Sequence, residues 1–151
     1  MTEPNEIHHF EIAAVWSGDA GGAGEVEVAE GALSMPFAGA KSLGGAGGKA
    51  NPEELLLAAL GACFVNTWAI FLKKLAVGYA EPALRVAGEL GKDPAGGYRL
   101  SKTVIHARVP AELLSGGRAQ IEKTLQLAEK YCIISKVVRS AVPIEVKIEE
   151  I

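Results

Sequence analysis

The chain has 151 residues, 49% hydrophobic, 22% charged and 6% aromatic, with a formal net charge of −3. That balance suits one soluble globular domain spanning residues 1–151, and excludes a disordered tail or a disulfide-stapled miniprotein. Only Lys41 and Lys49 are basic in the first 60 residues, against nine acids, so no nucleic-acid partner is expected.

The segment from Phe10 to Trp16 alternates in period two, as a strand does. The Gly-rich turn from Ser17 to Gly24 follows, then a second alternating run, Glu25 to Ala29, and a third strand, Ala32 to Phe37. Short strands joined by turns predict an antiparallel meander. Residues 39–48 hold five glycines and read as a loop. Asn51-Pro52-Glu53-Glu54 is a helix start: Asn51 caps, Pro52 suits the first helical position, and Glu54 completes a capping box. That helix is expected to reach about Leu75. Strands at Ala83–Leu90 and Tyr98–Val109 flank the turn Gly91–Gly97. A second helix, Arg118–Tyr131, follows the Gly116-Gly117 break, with Ile121, Leu125, Ala128 and Cys132 on its apolar face. A short turn or helix spans Ser135–Ser140, and Val142 to Ile151 alternates as a final strand. The order βββ-α-ββ-α-β predicts an α+β fold.

The run from Leu55 to Leu72 is nearly apolar and long enough to cross a membrane. Asn66 and Thr67 interrupt it and Glu53-Glu54 precede it, so a helix buried on nearly all sides, with no membrane contact, is the expectation. A monomer of this size has too few polar positions there for one exposed face. A homodimer burying more than about 2,000 Å² follows. The N-terminus, MTEPNEIHHFE, has no signal-peptide pattern, and two cysteines make no secreted disulfide framework. A cytoplasmic location is therefore expected.

Gly45-Ala46-Gly47-Gly48-Lys49-Ala50 formally matches a dinucleotide fingerprint, but no ribose-binding acid stands about 20 residues on and the unit is not βαβ. Lys49 is followed by Ala50, which excludes a P-loop. His8, His9 and His106 have no ligand spacing, so no metal is expected. Cys63 and Cys132 each lie on an apolar helix face. They read either as small buried hydrophobes or as two thiols that meet and form a redox pair.

Asn51 to Phe64, NPEELLLAALGACF, resembles the signature of the OsmC/Ohr family of organic hydroperoxide resistance proteins. Ala128 to Ser135, AEKYCIIS, is similar to that family's second cysteine motif, usually written Cys-Pro-x-Ser. The resemblance implies an OsmC-like fold, with antiparallel sheets from two subunits wrapped around long central helices. It also implies a thiol-dependent peroxidase acting on alkyl or lipid hydroperoxides. Cys63 matches the peroxidatic cysteine, Cys132 the resolving one and Glu53 the active-site glutamate. No bound cofactor is implied. The reductant is an external dithiol, in the Ohr branch a lipoylated protein. The family's thiolate-stabilising arginine lies upstream of the helix motif, whereas this chain has no arginine before Arg85. Lys41 is the candidate replacement. Ile133 stands where the motif has proline. The rival reading is an OsmC-fold protein that binds or senses a small apolar ligand, with a Cys63 of ordinary or raised pKa.

Overall fold

The structure, a computed structural model, describes residues 6–151. The segment Met1–Asn5, part of the polar terminus read above, lies outside them. Strands β1 (Ala13–Ser17), β2 (Ala23–Val28) and β3 (Leu33–Phe37) precede helix α1 (Pro52–Lys74). Strands β4 (Ala83–Lys92) and β5 (Tyr98–Val109), helices α2 (Ala111–Tyr131) and α3 (Ile133–Arg139), and strand β6 (Ile144–Glu150) complete the α+β fold. The chain forms two compact units, one up to Leu55 and the other from Leu56 to Ile151.

In the first unit β1, β2 and β3 form the expected antiparallel meander, with Val15 opposite Glu25 and Val26 opposite Met35. β1 begins at Ala13 rather than Phe10. Its pairing ends at Ala13 opposite Glu27, because the chain leaves β2 through Ala29 and Glu30, both left-handed at φ 51° and 56°. Phe10 and Ile12 have no strand to face and stay exposed. Trp16 packs on Phe37 at 5.6 Å across Gly24, where a Cβ would come within 2.7 Å of the Phe37 ring. The glycine-rich loop is pinned at its base: Ala38 N–H donates to the Ala50 carbonyl at 2.9 Å, and Gly47 N–H to Gly39 at 3.1 Å.

The second unit holds the hydrophobic core. Leu60, Phe64, Trp68 and Leu72 recur every fourth residue and bury one stripe of α1. Gly61 lets that stripe lie close on β4, since a Cβ there would meet Val86 at 3.1 Å. Trp68 Nε1–H donates to Thr124 Oγ1 at 2.9 Å, tying α1 to α2 with the indole's only donor satisfied. Burial on nearly all sides is not what α1 shows. Leu56 and Ile70 are 45% and 46% exposed, because the β4–β6 sheet and α2 pack on one side only.

α2 starts at Ala111, seven residues earlier than expected. Pro110 takes the capping position, and the glycine break is a kink at Gly117 inside the helix rather than its beginning. Ile121, Leu125 and Ala128 face the core as the periodicity predicts. α3 begins at Ile133, directly after Cys132. β4 and β5 pair antiparallel, but β6 joins β5 in parallel, Ile105 opposite Val146. The second sheet is thus mixed, where antiparallel sheets were expected. α2 and α3 form the helical crossover that a parallel connection requires.

Candidate active site

Cys63 lies two residues beyond Gly61, at the edge of the buried stripe of α1, and is half-buried. Cys132 follows the last residue of α2, is the N-cap of α3, and is fully buried. The two are 69 positions apart in sequence, yet their thiols lie near enough to shift each other's ionisation, and both are free. The packing of α1 against the α2–α3 crossover brings them together.

The start of α3 explains how the sulfurs are held. A helix leaves its first N–H groups without intrahelical partners. Cys132 Sγ, as the cap, accepts the N–H of Ser135 at 3.4 Å. The N–H groups of Ile134 and Ile133 act instead on the ionisation of Cys63. The Cys63 thiol feels burial first, which raises its pKa. Against that stand the amide of Ile134, the S–H of Cys132, the amide of Ile133 and the hydroxyl of Thr67, and together they leave it more acidic than an ordinary cysteine. Thr67 contributes least: its one proton goes to the Cys63 carbonyl at 2.8 Å.

Cys132 shifts the opposite way. Burial is the largest cause, and the negative charge of Cys63 adds to it, partly opposed by the side chain and amide of Ser135. The first proton to leave the pair therefore comes from Cys63. The Ser135 hydroxyl lies close enough to Cys132 Sγ to favour its thiolate, yet Oγ is buried without a hydrogen bond of sound geometry.

Glu53 sits in the first turn of α1, ten residues before Cys63, about 15 Å along the axis at 1.5 Å per residue. Its Oε2 is buried and, among the described residues, has no hydrogen-bond partner. Lys41 lies in a 3-10 turn, Lys41–Leu43, exposed, its stem over Gly47. Among the described residues it makes no ion pair. Three arginines are engaged elsewhere: Arg85 and Arg108 with Glu149 on the outer face of the second sheet, Arg139 with Glu129.

A family model described as OsmC-like protein matches residues 45–147, more than half of the chain. The chain belongs to the OsmC family. Organic hydroperoxide resistance protein-like 1 of Staphylococcus epidermidis is 33% identical over 105 residues, covering 69% of this chain and 73% of that protein. The YmaD protein of Bacillus subtilis is 27% identical and covers 93% of both chains. The crystal structure of an organic hydroperoxide resistance protein from Legionella pneumophila superposes with a TM-score of 0.74. It is 23% identical and covers 95% of this chain and 99% of that one. The OsmC match contains Glu53, Cys63 and Cys132 and begins four residues after Lys41.

The sequence names both thiols as candidates but not the amides of Ile133 and Ile134. The arginine of the family motif points to a charged side chain, here Lys41, rather than to backbone amides. The available signal is the three-residue step from Cys132 to Ser135, the spacing between an N-cap and the third helical residue. Cysteine is not among the usual capping residues, which hides it.

Proposed function

We propose that this OsmC protein is a thiol-dependent peroxidase that reduces alkyl or lipid hydroperoxides in the cytoplasm. The Cys63 thiolate attacks the peroxide O–O bond, releases the alcohol and becomes a sulfenic acid. The Cys132 thiol condenses with it, giving a disulfide and water. An external dithiol, such as a lipoylated protein, then returns both thiols. The observation that carries this reading is the asymmetry of the pair: two neighbouring free thiols, the half-exposed one made more acidic by the amides of α3 and the buried one held neutral. Tyr131 and Ile133, on either side of Cys132 in sequence, are exposed and largely apolar, which favours an organic peroxide over hydrogen peroxide. Glu53 is proposed as the active-site carboxylate and Lys41 as an auxiliary cation. The exposed apolar residues of α1, Leu56 and Ile70 among them, support a homodimer.

Stopped-flow oxidation of the reduced protein by cumene hydroperoxide and by hydrogen peroxide tests the proposal. The organic peroxide is expected to react at least tenfold faster. The orphaned Glu53 carboxylate favours a second reading, a small-ligand binding or redox-sensing protein without efficient peroxidase activity. Equal and slow reaction with both peroxides would support it.

A further inference from the structure

The two-cysteine cycle places an awkward demand on its last step. A dithiol from solution can reach Cys63, which is half-buried, more readily than Cys132, which is fully enclosed. Its thiolate attacks Cys63 Sγ and forms a mixed disulfide. The Cys63–Cys132 bond breaks and its electron pair stays on Cys132. The second thiol of the reductant then attacks its own sulfur in the mixed disulfide, closing the oxidised dithiol and releasing the Cys63 thiolate. Two electrons pass from dithiol to protein, and the two product thiolates take protons according to their pKa values. Access thus makes Cys132 the leaving group, although it is the buried sulfur and the poorer one to carry charge.

One buried group in the site has no task in the resting protein. Ser135 is fully buried and, among the described residues, its Oγ has no hydrogen-bond partner. A buried, unsatisfied hydroxyl costs stability, so its presence calls for an explanation. Ser135 is the third residue of α3 and Cys132 its cap, and the Ser135 amide already donates to Cys132 Sγ at 3.4 Å. The side chains at these two helix positions are neighbours, and the hydroxyl is near enough to the sulfur to influence its ionisation.

We propose that Ser135 Oγ–H is the donor that receives Cys132 as the leaving thiolate when the Cys63–Cys132 disulfide is reduced. The hydroxyl does not give up its proton. It turns toward the sulfur as charge develops and makes, with the Ser135 amide, a two-donor site on one residue. A neutral thiol or a disulfide sulfur is a weak acceptor, which accounts for the idle hydroxyl at rest. The proposal rests on the two-cysteine reading above and assigns Ser135 to its reductive half.

The test forms the disulfide with diamide, so that no peroxide chemistry is involved, and then follows reduction by dithiothreitol with acid quenching and thiol alkylation. Ser135→Ala is expected to slow reduction about tenfold relative to its rate of oxidation by cumene hydroperoxide, and Ser135→Thr to recover most of the loss. Thermal stability of Ser135→Ala should hold or rise, because the hydroxyl it removes is unsatisfied. In a Cys63→Ser background, Ser135→Ala should also move the Cys132 titration, followed by thiolate absorbance, to higher pH. A purely structural serine would not produce that shift. Equal reduction rates for wild type and Ser135→Ala would overturn the role of Ser135 alone, as would a quenched mixed disulfide of dithiothreitol with Cys132 rather than Cys63. Failure of diamide to link Cys63 to Cys132 would remove the two-cysteine cycle, and this proposal with it.

Discussion

The beginnings of α1 and α3 solve one problem in two ways. At α1, Asn51 Oδ1 accepts the N–H of Glu54 at 2.8 Å, and the Glu54 carboxylate reaches back to the Asn51 N–H at 3.4 Å. The cap is closed by the helix's own residues and has a structural effect only. At α3 the cap is a cysteine, which engages one amide, and two further amides serve a sulfur carried by another helix. The same unsatisfied donors stabilise a fold in one place and acidify a thiol in the other. A charged side chain is therefore not the only way to prepare a thiolate, even in a chain with no arginine before Arg85.

The largest effect expected from breaking this contrast is at the sulfur itself. Cys63→Ser should abolish organic peroxide turnover, since a hydroxyl is no substitute for the thiolate. Cys132→Ser should still allow one oxidation event and then drift to sulfinic acid, visible by intact mass. Ile133→Pro comes next. It restores the residue of the family's usual motif and suits the first helical position, but it deletes an amide that Cys63 uses. The Cys63 titration should move to higher pH, and single-turnover oxidation at neutral pH should fall by about tenfold or more, in proportion to one lost hydrogen bond to a charged sulfur. In the wild type the oxidation rate should rise with pH and level off at lower pH than for an unperturbed thiol, because the folded Cys63 is the more acidic. A profile that keeps climbing to the pH of a free cysteine would contradict the role given to α3.

At the other helix start, Asn51→Ala should cost about 1 kcal/mol, a fall in Tm of about 2–4 °C, and leave the Cys63 profile in place. The smallest change is expected for Lys41→Met. With the amides of α3 at the sulfur, single-turnover rates should stay within about twofold, whereas a tenfold loss would return the thiolate to a lysine.

How far the sequence can be read follows the same line between local and distant causes. Asn51-Pro52-Glu53-Glu54 signals a helix start through neighbours alone, and α1 begins at Pro52. The turn from β2 to β3 passes through left-handed Ala29 and Glu30, residues that give no warning of such a backbone, so the shortened β1 was not legible. The parallel direction of β6 was not legible either, since alternation has the same period in both directions. The meeting of Cys63 and Cys132 depends on how α1 packs against a crossover dozens of residues later. Spacing alone left it open, and only the likeness to the family's two cysteine motifs pointed to it.

The place of Cys132 in that crossover has a consequence for chain entropy. A bond between Cys63 and Cys132 would close a loop of about 70 residues, enough on the loop-closure model to destabilise the unfolded chain by roughly 4 kcal/mol. The same bond would fasten α1 to the segment that delivers β6 to its sheet. Each turn of a redox cycle would then alternately tie and release the second unit. The oxidised protein would outlast the reduced one under protease or heat, and resistance to digestion would rise and fall with the peroxide load.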